Sequence, residues 1–185
     1  YGGFNRINFS EDGYEVCPII IAPERKRQLN DGLMMFFTGF TRFSADIQLA
    51  NQAETIAEKK KYLNEMYQLV NEAEQILTDT YADLNEFGRM LDYSWKLKRN
   101  TGNKVSTSAI DKLYNKGIRA GALGGKLLGA GGGGFLIFYV RPEYQQAVKE
   151  AMRDLLYIPF AFETGGTKVL YYAPEEYRNT AAVVD

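Results

Sequence analysis

The sequence predicts an α+β fold in which four strands form one sheet and helices pack against it. Apolar segments typical of strands occupy residues 33–38, 135–140, 158–164 and 167–172, and Gly165-Gly166 between the last two predicts a hairpin turn. Long segments with helical periodicity lie between the first two strands. The 185 residues, 45% of them hydrophobic, are enough for one ordinary domain with a sizeable core.

A hairpin and a short connection precede this sheet. Residues 4–9 and 14–21 have strand-like composition, and the Asp12-Gly13 pair between them favours a tight turn. Residues 22–32 contain a proline, a run of charged residues and a final glycine, which predicts a polar connection of one or two helical turns at a domain boundary. We therefore divide the chain into residues 1–30, residues 31–175 and a frayed tail at 176–185.

A long helix, or two helices in series, is predicted from about Ser44 onward. Apolar side chains recur every seven residues, at Leu49, Ile56, Leu63, Val70 and Leu77. The same stripe is compatible with a coiled-coil partner, but Lys59 and Lys60 interrupt its second row, so packing within the chain is the favoured interpretation. A homodimer formed through this stripe stays an alternative.

Three further helices are predicted after the long one. The first follows Thr80 and Asp83, which resemble a capping box. The second begins where Ser108 and Asp111 have the same spacing. The third occupies about residues 142–156, between the second and third strands of the sheet, and has a proline at its start.

The composition excludes several classes of function. The 22 Lys and Arg residues against 23 Asp and Glu residues give a net charge of −1, which provides no basic surface for nucleic acid or a membrane. The chain has no histidine, so Ser-His-Asp catalysis and histidine metal sites are excluded. A single cysteine, Cys17, allows no internal disulfide. This lone thiol, without a signal-like N-terminus, predicts a cytoplasmic protein.

Seven glycines lie within the eleven residues 124–134, directly before the predicted strand 135–140. Each glycine costs about 0.5–1 kcal/mol relative to alanine, so such a run needs a compensating role. One role is a tight connection between closely packed elements, and the other is a loop whose N–H groups bind a phosphate or another anion. The run lacks the Gly-Lys-Ser/Thr ending of a P-loop and precedes a strand, so it is neither a P-loop nor a dinucleotide-binding motif.

The glycine run with its flanking residues, Ala-Gly-Ala-Leu-Gly-Gly-Lys-Leu-Leu-Gly-Ala-Gly-Gly-Gly-Gly-Phe at 120–135, closely resembles the third motif of the GHMP kinases. This family of small-molecule kinases is named for galactokinase, homoserine kinase, mevalonate kinase and phosphomevalonate kinase. Two further segments, Tyr-Gly-Gly-Phe-Asn at 1–5 and Phe-Phe-Thr-Gly-Phe-Thr-Arg at 36–42, are most similar to the D-glycero-D-manno-heptose phosphate kinases of the family. The resemblance spans essentially the whole chain but only the C-terminal half of such a kinase.

The resemblance implies a ferredoxin-like domain with a four-stranded antiparallel sheet and helices on one face. It also implies that residues 1–30 are the last hairpin and the linker of an N-terminal domain. Family members carry a Pro-x-x-x-Gly-Leu-Gly-Ser-Ser phosphate loop and a Mg²⁺-binding acidic residue in that domain, and the 185 residues contain neither. We expect that the rest of such a kinase precedes this chain.

The implied activity is transfer of the ATP γ-phosphoryl group to a hydroxyl of a sugar or sugar phosphate, with ATP and Mg²⁺ as cofactors of the intact kinase. The implied partners are the sugar phosphate, ATP and the N-terminal lobe of the same kinase, and the chain alone is expected to be inactive. No catalytic or metal-binding residue is assigned to this chain. The alternative from another class is a non-catalytic ferredoxin-like module that binds a small ligand or dimerises.

We assign the substrate and phosphate site to eight residues. Five form the glycine loop that the resemblance places against the phosphate groups: Gly129, Ala130, Gly131, Gly132 and Gly133. Lys126 adds a charge beside this loop, and Thr41 with Arg42 follows the first strand of the domain, where Arg42 is able to pair with a phosphate. Three alternatives stay open: Arg42 pairs with a surface carboxylate, Thr41 caps a helix, and Lys126 is solvated at a strand edge.

In the intact kinase, Gly131→Val is expected to lower kcat strongly while the protein still folds, because a branched side chain would occupy the space that the loop offers to substrate. Steady-state kinetics give the effect, and a thermal unfolding curve shows that the fold is retained. An unchanged kcat would contradict the role assigned to the glycine loop.

Overall fold

The computed structural model describes residues 1–40, 56–102, 105–129 and 133–172. The chain forms two compact units. The first, which we call the hairpin unit, contains Tyr1–Pro18 and the described residues from Phe162 onward, and the second, the sheet unit, is Ile19–Ala161. Residue 175 lies outside the described residues, and the predicted domain boundaries stay a prediction.

The hairpin unit contains two antiparallel strands, β1 (Asn5–Ser10) and β2 (Gly13–Pro18). Asn5 lies opposite Pro18, and Ser10 lies opposite Gly13, so the predicted hairpin at the Asp-Gly turn is confirmed. Within the same unit, the rings of Phe4 and Phe162 lie 4.6 Å apart in an edge-to-face arrangement. Among the described residues, the hairpin unit has no third strand.

The sheet unit is built around four antiparallel strands in the order β4–β5–β3–β6. Their bounds are β3 Leu33–Phe37, β4 Ala122–Leu127, β5 Phe135–Val140 and β6 Leu156–Ile158. Leu33 lies opposite Tyr139 in the central β3–β5 pair, and Met35 lies opposite Ile158 in the β3–β6 pair. The predicted α+β class with a four-stranded antiparallel sheet is therefore confirmed.

Two of the four predicted strands are wrong. The structure has no strand over residues 159–172, where 158–164 and 167–172 were expected, and the sheet instead takes β4 from the start of the glycine run. Pro159 directly follows β6 and has no N–H group to donate, which ends the pairing with β3. β4 forms despite the low strand propensity of glycine because it pairs with β5 from Ala122 to Leu127. Glycine is needed at position 124 because a helix packs directly on it: a Cβ there would lie 2.0 Å from Gly88 O.

Five α-helices lie in the described part of the sheet unit: α1 Pro23–Gly32, α2 Ile56–Thr78, α3 Leu84–Arg99, α4 Ser108–Arg119 and α5 Gln145–Ala151, the last preceded by a 3-10 turn at Pro142–Tyr144. The Asp83 side chain caps α3 by accepting from Asn85 N, and Thr107 caps α4 by accepting from Ile110 N. The predicted portion of the long helix at 44–55 lies outside the described residues.

The core of the sheet unit lies between the sheet and helices α3, α4 and α5. Its largest fully buried side chains include Trp95, Phe36 and Phe138. Tyr114 on α4 stacks on Phe138 with ring centroids 5.8 Å apart, and its hydroxyl donates to Asp92 Oδ1 on α3 at 2.6 Å. Burial, together with this carboxylate, raises the pKa of Tyr114, so the hydroxyl stays a donor and joins α3 to α4.

Residues 22–32, predicted to be a polar connection of one or two turns, form the complete helix α1. Pro23 begins this helix, and one member of the charged run, Arg25, is only 4% exposed. Arg25 Nε donates to Ile76 O at 3.0 Å, and its Nη2 donates to Ala82 O at 2.8 Å. The buried guanidinium therefore holds α1 against the end of α2 and the connection to α3.

Replacing this arginine should destabilise the sheet unit. We expect Arg25→Met to lower the free energy of unfolding by about 2–4 kcal/mol, because two backbone carbonyls lose a charged donor. Arg27→Met is the matched control on the same helix, since Arg27 is exposed and pairs with Glu24 at i,i+3, and it should change stability little. Urea unfolding monitored by circular dichroism measures both variants, and equal effects would contradict the structural role of Arg25.

Candidate functional site

The segment that joins β4 to β5, residues 128–134, is held tightly at both ends. Leu128 N donates to Phe135 O at 2.8 Å, and Gly134 N donates to Phe40 O at 2.8 Å. Thr38, directly after β3, donates to Gly134 O from both its backbone N (2.9 Å) and its Oγ1 (2.8 Å). The described ends of the glycine segment are therefore fixed, and Gly134 is held at the end of β3.

Glycine is required at three described positions of this segment, of which Gly134 has a φ of +102°. Gly129 has a φ of +85°, a backbone conformation that other residues rarely adopt. A Cβ at position 133 would lie 2.3 Å from Phe40 O, so only a residue without a side chain fits there. The run thus serves in part as a tight connection, which was one of its two predicted roles.

The second role, anion binding, is supported by Lys98, which the sequence analysis did not predict. Lys98 lies in the last turn of α3, and its Nζ donates to Gly129 O at 2.7 Å. The one sequence indication was a cluster of basic residues near this helix end, Lys96, Lys98 and Arg99, which helix-dipole interaction alone explains. Only the packing of α3 on β4 brings one of the three to the glycine segment.

Lys98 and Lys126 are both half-buried and lie near enough to repel each other. Burial and the charge of Lys126 lower the pKa of Lys98, and burial lowers the pKa of Lys126. A lowered pKa means that folding disfavours the ammonium form, so keeping both lysines charged lowers the free energy of unfolding. This loss of stability is present at neutral pH and disappears as the pH rises past the unfolded-state pKa. A bound anion would stabilise the ammonium form of both lysines and so offset this loss of stability.

No counter-ion for these two lysines is found among the described residues, where neither has a carboxylate at ion-pair distance. The N–H groups of Gly129 and Gly133 likewise donate to no other described residue. Two ammonium groups and two backbone donors are the groups that phosphate oxygens accept from. The Lys126 side chain is half-buried, which disagrees with the alternative that it is fully solvated at a strand edge.

The structure describes three of the eight predicted site residues, Gly129, Gly133 and Lys126, and all three lie at the segment between β4 and β5. The other five fall outside the described residues: Thr41, Arg42, Ala130, Gly131 and Gly132. Thr38, which directly precedes the predicted Thr41–Arg42 region, contacts Gly134 as described above. The assignment of the eight residues to substrate stays a prediction.

Two other kinds of feature are absent from the described ranges. No group of three or more His, Cys, Asp or Glu residues there is arranged to hold a metal ion. None of the helices in those ranges is both long and apolar enough to span a bilayer.

Comparison with known proteins identifies the domain. Residues 73–158, from the last turns of α2 to the end of β6, match the sequence family described as GHMP kinases C terminal. This segment is a GHMP kinase C-terminal domain. The match includes the glycine run and both lysines, so the resemblance predicted from residues 120–135 is confirmed.

Relatives of this GHMP domain agree with the identification. The chain is 29% identical over 176 residues to a D-glycero-alpha-D-manno-heptose 7-phosphate kinase of Campylobacter jejuni, a match that covers 91% of this chain and 50% of that protein. The chain thus spans about half the length of this relative.

Solved structures of kinases share the fold. A D-glycero-D-manno-heptose 1-phosphate kinase of Bacteroides thetaiotaomicron superposes with a TM-score of 0.59 at 22% identity, covering 92% of this chain and 46% of that one. The L. major mevalonate kinase in complex with R-mevalonate superposes with a TM-score of 0.64 at 20% identity, covering 83% and 45%. At these identities the likeness concerns the fold.

The coupling between the two lysines can be measured directly. Lys126→Met should raise the pKa of Lys98, because it removes a neighbouring positive charge. NMR titration of the lysine side chains in the isotope-labelled protein gives this pKa, and Lys96→Met is the control, since Lys96 is paired with Asp92. A Lys98 pKa that stays the same in Lys126→Met would show that the two charges do not interact.

Proposed function

We propose that this chain is the C-terminal lobe of an ATP-dependent small-molecule kinase whose acceptor is a sugar phosphate, most specifically a heptose phosphate. The observation that carries the proposal is the glycine segment between β4 and β5. Its Gly134 is held at the end of β3, and two half-buried lysines without counter-ions among the described residues flank it. The GHMP domain and the heptose 7-phosphate kinase relative supply the class of reaction and of acceptor.

Phosphoryl transfer depends mainly on positioning and on neutralising negative charge. The residues of this chain suit both requirements, since Lys98 and Lys126 supply positive charge, and Gly129 and Gly133 supply N–H donors. Mg²⁺, when bound with ATP, neutralises charge on the transferred phosphoryl group. The described ranges offer no carboxylate cluster for the ion, so we assign its ligands and the phosphate loop to the remaining, N-terminal lobe of the kinase.

The hairpin unit supports the lobe interpretation over a complete, non-catalytic module. Among the described residues, β1 and β2 pair only with each other, and Phe9 and Tyr14 on them are 80% and 62% exposed. A two-stranded sheet with exposed aromatic side chains is expected where a hairpin is part of a larger sheet. We therefore propose the N-terminal lobe as the partner of this unit. For the whole kinase we propose a cytoplasmic location, which the lone thiol of Cys17 predicts.

The test is a phosphoryl-transfer assay on the full-length kinase and on the 185-residue chain, both with ATP and Mg²⁺. We expect the full-length protein to phosphorylate D-glycero-D-manno-heptose 7-phosphate or 1-phosphate with a kcat/KM at least about tenfold above that for mevalonate or galactose. The chain alone should show no transfer. A folded full-length protein that binds a ligand or dimerises but phosphorylates none of these acceptors would contradict the proposal and favour the non-catalytic module.

A further inference from the structure

We infer that Lys98 and Lys126 together form a binding site for a phosphate monoester, and that this group is the phosphate which the acceptor sugar already carries. The inference rests on the proposed function for the identity of the molecule, whereas the binding of a phosphate monoester rests on the chain alone. It adds Lys98 to the predicted site and makes the lysine pair the feature that selects phosphorylated acceptors.

The two lysines belong to different elements, and one of their ammonium groups contacts the segment directly. Lys126 lies near the end of β4, two residues before the segment that begins at Leu128, and Lys98 reaches the segment from α3. The 2.7 Å bond to Gly129 O uses one of the three donors of the Lys98 ammonium and fixes its position. Among the described residues, no second acceptor for this ammonium group is found.

Neighbouring basic residues show that the lysine pair is unusual. Lys96 pairs with Asp92 at 2.6 Å, and Arg99 pairs with Asp111 at 2.9 Å. These two carboxylates are further engaged, since Asp92 accepts from the Tyr114 hydroxyl and Asp111 accepts from Ser106 Oγ. On this part of α3 every basic side chain except Lys98 therefore has a carboxylate partner among the described residues.

Charge indicates the class of ligand. Burying two ammonium groups that repel each other lowers the stability of the folded protein. A dianion that contacts both groups would offset this loss. A phosphate monoester carries about −1.5 to −2 charges at pH 7, which matches two lysines. The same positive charge repels a divalent cation, so the pair suits a phosphate that is held without a metal ion better than the Mg²⁺-bound phosphates of a nucleotide.

The experiment is calorimetric titration of the full-length kinase with mannose 6-phosphate, with inorganic phosphate, with MgATP and with unphosphorylated mannose. We expect Lys98→Met and Lys126→Met each to weaken mannose 6-phosphate binding by at least about tenfold, and MgATP binding by less than about twofold. Lys96→Met is the matched control on the same helix and should weaken neither by more than about twofold. Lys98→Arg keeps the charge and should retain most of the affinity.

A second readout separates direct binding from a purely structural role of Lys98. Bound phosphate should raise the NMR-measured pKa of both lysines in the wild type. If Lys98 only held the glycine segment in place, phosphate would not change these pKa values. Equal weakening by the Lys96, Lys98 and Lys126 variants would show a non-specific charge effect and overturn the inference. Loss of MgATP binding instead of mannose 6-phosphate binding would also overturn it, because the pair would then hold nucleotide phosphates.

Failure of the inference and failure of the proposed function are distinguishable. If the lysine variants lose mannose 6-phosphate binding but the wild-type kinase phosphorylates no acceptor, the phosphate monoester site stands and the kinase proposal fails. If the Lys98→Met and Lys126→Met double variant keeps its kcat/KM for heptose phosphate, the kinase proposal stands and the lysine inference fails. Thermal unfolding of each variant confirms that these comparisons are made on folded protein.

Discussion

The close packing of α3 on β4 is the contact on which the candidate site depends. Gly124 lies so near the helix that a Cβ there would be 2.0 Å from Gly88 O and 2.7 Å from Asp92 N. Gly88 in turn faces the ring of Tyr139 on β5. This approach carries the last turn of α3 past the end of β4, where Lys98 reaches Gly129 O. Gly124 therefore allows the close approach of the helix, and Gly129 later in the run accepts the hydrogen bond from Lys98.

Much of the fold follows from local sequence patterns. The apolar runs of β3 and β5 and the Asp-Gly turn of the first hairpin lie where the sequence predicted them. The predicted capping boxes at Thr80 and Ser108 are wrong in detail, because the N-caps of α3 and α4 are Asp83 and Thr107. The predicted strands after residue 158 are wrong because apolar composition does not show whether a partner strand is present. Helix α1 was predicted to be a connection because a run of charged residues indicates an exposed segment. The sequence does not show that Arg25 is buried, since its partners lie more than fifty positions away.

The candidate site was only partly predictable. Glycine runs, their flanking Lys126 and their family resemblance are local features, so the sequence identifies them directly. Lys98 is different, because its role depends on the direction in which α3 crosses β4 and on the separate pairing of Lys96 and Arg99 with carboxylates. A basic helix end is common, and only the three-dimensional arrangement shows that one of its cations lacks a counter-ion among the described residues.

A crystal structure of the full-length protein, which we propose is a kinase, with D-glycero-D-manno-heptose 7-phosphate bound would test the role of the lysine pair most directly. We predict that the 7-phosphate contacts both Lys98 Nζ and Lys126 Nζ at the segment between β4 and β5, with a reacting hydroxyl directed towards the N-terminal lobe. A sugar phosphate bound elsewhere, with both lysines paired to carboxylates of the full-length protein, would contradict this prediction.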